Sequence, residues 1–587
     1  MLLPELKRPQ TGSRDLNQFY GYNAQPSAGE AEFRDMTNLW GGHFPMLNTR
    51  PPRGTVAKLK NPQGMIAKDA LLWVDDGEVY YNSYKVPDIT LTRTGAKQIV
   101  SMGAYAVFFP DKKYINTADL SDCGALDAAW EAGEETAVTF TICKEDGNAY
   151  DQPAVQGTAP QNPDAGALWI DTSGEMHVLR QYDSTSQSWT SVATVYTKLT
   201  APGIGEQFSD YDGVEISGCG TGVSGNLGKQ LAALNGTKVI YKQDADFLVV
   251  VGILDQTYTQ TGGISVRREA PELDYVCECG NRLWGCKYGL VNGKPVNEIY
   301  CCKLGDFKNW RCYMGLSTDS WAASRGADGQ FTGAATYQGR PIFFRERSLE
   351  VVYPDAGGAH QIVTNECAGV QNGSWRSLAI VSNTLFYKSP EGVRAYTGSM
   401  PYSVSDALGD TGYHNARAGA VESRYYISMQ DKAGRWHLFC YDAGKRLWHR
   451  EDATQAAAFA SADGDLFYQD ERNPALRCCL GRTGDPEEAF EWNAETGLIG
   501  MDDYRKKYPS RISFRGSVQA GGWMEVWMQY DSNPEWEFKC RIAGAGLRSF
   551  LLPITPKRCD HMRIRLKGKG KAMIYSIHMN YEKGTDV

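Results

Sequence analysis

One pattern recurs along the chain: an alternating strand meets a short polar turn and returns as a strand rich in aromatic and β-branched residues. It is written in ALLWVDDGEVYYNSY (70–84), IVSMGAYAVFFPDKKYINT (99–117), YVCECGNRLWGCKY (275–288), AATYQGRPIFFRERSLEVVY (334–353), LAIVSNTLFYKSPEGVRAYTG (378–398), AGAVESRYYISMQDKAGRWHLFCYD (418–442) and AAFASADGDLFYQD (457–470). From residue 275 onward the spacing is about 40 residues, the length of one four-stranded propeller blade. The pattern therefore predicts an all-β chain with a β-propeller of six or seven blades. The interval between the second and third hairpins is far longer, which places an insert of roughly 130 residues between those blades.

Chain length and composition fit this organisation. At 587 residues the chain exceeds what one hydrophobic core serves, and 62 Gly and 25 Pro scattered throughout suit many short strands joined by tight turns. We divide it into an N-terminal arm (1–60), first propeller blades (61–132), inserted β domain or domains (133–265), remaining blades (266–490) and a C-terminal β-sandwich (491–587). Within the insert, residues 158–192 read as short strands with turns at PDAG and DTSG, and residues 234–254 as strands of a second small β unit. The last region runs through about seven alternating strands at sandwich spacing. The arm carries Pro, Gly, Asn and Arg without sustained periodicity and ends in NTRPPRG (48–54). Arg50, Pro51, Pro52 and Arg53 are its candidate assembly residues, expected to order against a partner surface.

The N-terminus lacks a basic stretch followed by an apolar run, and no segment holds about 18 uninterrupted apolar residues, so the expectation is a chain made in the cytosol without membrane insertion. Fifteen cysteines, an odd number, point to reduced thiols. A net charge of −8 argues against a general nucleic-acid binder but suits a surface along which DNA slides without sticking.

Cys277, Cys279 and Cys286 lie close enough to suggest a zinc knuckle, with Cys301, Cys302 and Cys312 following. A zinc site, however, usually shows two CxxC-like pairs, whereas small thiols commonly fill tapered β interiors. GTGVSG (220–225) matches G-x-G-x-x-G and precedes a helix-like NLGKQLAALNG, but a dinucleotide site needs a parallel βαβ unit around it, and the flanking sequence reads as hairpins. Acidic groups such as Asp75, Asp76 and Glu78, or Asp463, Asp465 and Asp470, sit where turns are expected. Near the end, KRCDHMRIRLKGKGKA alternates strictly, so Arg563, Arg565 and Lys567 face away from Met562, Ile564 and Leu566, and Lys569 and Lys571 extend the charged row. That stripe is a candidate docking surface for an acidic neighbour or for DNA phosphates. No catalytic residue, metal ligand or cofactor is assigned, and no enzymatic activity is expected.

Several stretches together resemble a bacteriophage tail family: β-propeller hub or nozzle subunits of short-tailed phages, also described as tail tubular or DNA-stabilisation proteins. The carrying residues are FRDMTNLWGGHFPMLNTRPPRG (33–54), DYVCECGNRLWGCKY (274–288) with NEIYCCKLGDFKNW (297–310), YKSPEGVRAYTGSMPYSVSDAL (387–408) and RCDHMRIRLKGKG (558–570). The insert segment APQNPDAGALWIDTSGEMHVLRQYDSTSQSW is similar to small β modules of phage fibre proteins. The resemblance implies a virion component assembled in the host bacterial cytoplasm. It further implies a ring of subunits, six being the expected number, that contacts portal, adaptor and fibre or tip proteins and passes genomic DNA. The competing expectation is a propeller that binds or cleaves host-surface carbohydrate, with tryptophans such as Trp189 stacking on sugar rings.

Overall fold

Between turns, β-branched and aromatic residues alternate with polar ones, and the computed structural model, which describes residues 10–584 apart from 152, 328, 504 and 545, is all-β. Among the described residues its one α-helix is α1 (Gly225–Ala232). Seven of its sheets are antiparallel and follow one another in the chain. Their first strands are Pro62–Ala67, Gln98–Met102, Tyr275–Glu278, Gly333–Tyr337, Ala379–Val381, His414–Val421 and Ala456–Ala462. These lie side by side in that order, with the 3-10 turn Trp375–Ser377 between the fourth and fifth, and the seventh returns to the first. The result is a closed ring.

Each joint of the ring is filled from both sides. Leu72, Val79, Phe108 and Ile115 occupy the first joint, and Val107, Val276 and Leu283 the second. Cys277, Trp284, Phe343 and Val352 fill the third, and Tyr426, Leu438, Leu466 and Tyr468 the sixth. The period-two alternation of the strands sends successive residues into opposite joints, so each sheet is buried on both faces.

The seventh sheet takes only three long strands from its own stretch of sequence. Its next strand is Gly54–Lys58, which pairs antiparallel with Ala475–Cys478, so the two ends of the ring sequence are stitched by backbone hydrogen bonds. The backbones approach so closely that a Cβ on Gly54 would lie 1.8 Å from the Thr483 carbonyl oxygen, which demands glycine there. Just before this strand, Arg53 donates through Nη2 to Glu451 (2.7 Å) and through Nη1 to Asp452 (2.7 Å), while its backbone N–H reaches Glu487 (2.8 Å). Arg50 pairs with Glu487 and donates through Nε to Asn38 (2.8 Å). Burial pushes the Asp452 carboxyl up, but Arg53 and Arg50 together outweigh it and hold the group down to about 2.

This corrects the expectation for the N-terminal arm. Arg50 and Arg53 are 3% and 4% exposed and serve this chain's own closure, not a partner surface. The segment before them is likewise ordered within the chain. Thr11–Leu16 pairs with Ala572–Lys583 and Phe33–Thr37 with Glu491–Thr496, each becoming part of one of two C-terminal sheets. Those two sheets share a core that is continuous with the joint between the fifth and sixth ring sheets, joining Phe33, Trp492, Ile512 and Ile564 to Tyr425, Phe439 and Trp448.

The insert leaves after the second ring sheet and returns at the third. Its neck strands, Ala128–Glu131 and Ser265–Arg268, pair with each other, so it begins and ends a few residues outside the expected 133–265. Arg268 and Asp212 form a buried ion pair there, and Asn309 of the third ring sheet's loop donates to Asp212 (2.8 Å), fastening insert to ring. Three sheets make up the insert, one containing the neck strands and another the small unit from Ala154–Gln156 to Ser188–Ser191.

Removing one member of the closure network should leave buried charge uncompensated. R53M is expected to destabilise the chain by roughly 3–5 kcal/mol in urea unfolding, and an unchanged midpoint would contradict this role. His449, 2% exposed, packs in the sixth sheet against Gly21 and Gly41 of the N-terminal segment, and burial holds its imidazole down to about 4. The unfolded chain takes up that proton near pH 6.5 while the folded one stays neutral, so stability present above about pH 6.5 is lost as pH falls toward 4, by at most about 3 kcal/mol. Urea titrations at about pH 7 and about pH 4.5 should show a smaller loss for H449Q than for the parent; equal losses exclude His449 as the source.

Candidate functional site

Seven first strands converging on one axis leave little room, and the sequence supplies small residues there: Gly64, Ala334, Ala335, Ala418 and Ala458. A Cβ on Gly64 would come within 2.7 Å of the Lys97 carbonyl oxygen. Into this space the turn Trp375–Ser377 directs Arg376. Its Nη1 donates to the Ala457 carbonyl (2.7 Å), and its Nη2 to those of Gln63 (2.7 Å) and Lys97 (3.2 Å). One guanidinium thus ties the fifth sheet's entry to the seventh, first and second. Burial lowers it to about 10, with Arg417 adding repulsion, so the cation is held by carbonyl dipoles and not by a bonded carboxylate.

What remains open on the axis is a cavity of about 240 Å³ beside Arg376, and a mouth of about 450 Å³ lined by Gln98, Asp274, Tyr275, Tyr288, Asn372 and Trp375. Two polar side chains of that mouth are engaged: Asp274 accepts from Lys287 (2.7 Å) and the Tyr288 N–H (2.8 Å), and Gln98 bonds both backbone groups of Val276. A second buried cation, Lys388, borders a cavity of about 340 Å³ between the fifth and sixth sheets. Its Nζ donates to Gln371 (3.1 Å) and the Ser389 carbonyl, and burial lowers it to about 8. These arrangements hold charge by hydrogen bonds from within the chain.

Cys277, Cys279, Cys286 and Cys301 share one apolar cluster with Trp284 and Phe343, while Cys302 lies in the neighbouring one. Burial pushes Cys277 and Cys301 up to about 12 and Cys279 up to about 11, so the neutral thiol is the stable form. GTGVSG does precede α1, but the strands around it, Gly213–Ser217 and Gly236–Val239, are antiparallel neighbours, which is not the parallel unit a dinucleotide needs. Asp75 and Asp465 accept backbone N–H groups at turns. Trp189 is half-buried, with Trp169 and Tyr182 each 5.4 Å from its ring. The charged row is split: Arg563 and Arg565 pair with Glu495, and Arg565 also lies 3.8 Å over Trp536. Lys567, Lys569 and Lys571 are exposed and have no ion-pair partner among the described residues.

Among the described residues one trio could meet at a metal ion: Asp531, Asp560 and His561. Lys506 lies 3.3 Å from Asp531, and Ser532 bonds the far nitrogen of His561 (2.7 Å), so its members are already bonded within the chain. Sequence spacing did not mark Arg376, Lys388 or the Asp212–Arg268–Asn309 fastening, because each depends on groups far apart in the chain.

No protein-family model and no curated protein matches the chain. Solved structures that are similar include an exo-β-1,3-galactanase from Phanerochaete chrysosporium (7% identity, 52% of this chain and 94% of that one, TM-score 0.22). BamB from Moraxella catarrhalis shares 9% identity over 54% of this chain and 84% of its own, with a TM-score of 0.23. The WD40 repeats of RRP9 share 6% over 54% and 90%, also at 0.23. Likenesses this weak carry no functional inference.

Replacing Arg376 by Met removes the donor to the Ala457 and Lys97 carbonyls and one of the two donors to that of Gln63. R376M is expected to lower stability by roughly 2–4 kcal/mol in denaturant unfolding. A change below about half a kcal/mol would show that the guanidinium does not bind the ring together.

Proposed function

We propose that the chain is a structural subunit of a bacteriophage tail, forming with further copies a nozzle or hub ring at or below the head connector through which the genome is retained and then ejected. In this reading the seven-sheet ring is a seven-bladed β-propeller and the C-terminal pair of sheets a β-sandwich. The observation that carries it is the narrowed axis. A ring whose centre holds its own Arg376, bonded to three surrounding backbones beside a cavity of about 240 Å³, leaves too little room for a duplex and is suited to be part of a wall. The channel then lies between copies, and a net acidic surface facing it repels DNA phosphates so that the duplex slides. The tail-family motifs at 33–54, 274–310, 387–408 and 558–570 support the same reading. Portal, adaptor and fibre or tip proteins are the neighbours it implies.

Imaging of phage particles with an antibody or tag on this chain should place it in the tail, as a ring of copies around an axial channel below the head. Particles that lack the chain would overturn the proposal. Release of fragments from host polysaccharide by the purified protein would favour the carbohydrate-cleaving alternative.

A further inference from the structure

The charge of the chain is distributed unevenly. Residues 128–268 hold 17 acidic and 8 basic side chains, whereas residues 491–587 hold 11 acidic and 16 basic ones, in a chain of net charge −8. The acidic block is the insert, mounted between the second and third ring sheets. The basic block belongs to the C-terminal sheets, which pack against the fifth and sixth. Three sheets further round a seven-sheet ring, the two blocks lie nearly across from one another.

Each block also presents charge that the chain leaves unspent. On the basic side these are Lys567 and Lys569, whose strand neighbours include Glu525 and Glu491, and Lys571 just past the strand; Glu525 pairs with Arg541, which leaves the three lysines without an ion pair among the described residues. On the acidic side, Glu134 and Glu135 are exposed in the turn before Ala137–Cys143 and have no ion-pair partner among the described residues, whereas their neighbour Glu131 is taken by Arg267.

We propose that the lysine row of one copy docks against the acidic insert of the next, making a head-to-tail contact. Two different, complementary patches on opposite sides of a subunit generate a heterologous interface, which closes into a ring when the rotation per subunit allows. Opposite charge sets the register and speeds encounter, while like charge prevents either patch from pairing with its own kind. The inference rests on the ring-forming reading above and adds which surfaces meet.

The test uses the full chain and two charge reversals, K567E/K569E/K571E and E134K/E135K, each checked for parental thermal unfolding, with self-association followed by sedimentation or mass photometry. The parent should associate at low salt and dissociate as salt is raised. Each variant alone should associate about tenfold or more weakly, and an equal mixture of the two should recover association, because each reversed patch then meets its complement. Parental association by either variant alone, association indifferent to salt, or no recovery on mixing would overturn the proposal. If the chain forms rings in phage particles while the variants associate normally, this interface fails and the tail reading stands.

Discussion

The fold depends on the cluster of charges where the ring closes. Gly54–Lys58 must pass from the C-terminal sheets to the edge of the seventh ring sheet, and Arg50 and Arg53 fix that passage by binding Glu451, Asp452 and Glu487. Burying two guanidinium groups is costly, and what offsets the cost is that each also meets neutral acceptors and a ring face: Asn38 and Phe490 for Arg50, Thr454 and Tyr468 for Arg53. Without the closure, the first sheet would keep its meander but lose the seventh sheet's apolar cover at Met65 and Trp73.

The same logic operates at the axis. Seven inner strands cannot pack to the centre with small residues alone, and Arg376 takes up part of the remaining space with a planar donor that three carbonyls can accept. Closure at the rim and bonding at the axis make the ring a single unit, and the joint core with the C-terminal sheets extends that unit to both ends of the chain.

Much of the ring was legible in sequence because its signal is local. Hairpins such as Tyr275–Glu278 with Leu283–Val291 announce themselves through alternation and a Gly-Asn turn, and the cysteines between them follow the same period into the core. The charged row was legible in its alternation but not in its partners, since Glu495 lies on another strand and claims only its first two members. The closing strand was harder to read: GTVAK is unremarkable as a sequence, and the partner of Arg53 is 398 residues away. Arg376, in SWRSL, carries no local mark at all, because its acceptors are backbone carbonyls that any residue supplies.

The claim that the ring is sealed by its N-terminal strand is most directly tested by hydrogen–deuterium exchange on the full chain. The amides of Gly54–Lys58 are expected to exchange as slowly as those of their partner strand Ala475–Cys478, both opening only with the ring as a whole. Fast exchange at Gly54–Lys58 while Ala475–Cys478 stays protected would contradict the account, showing a ring that stands without its closure.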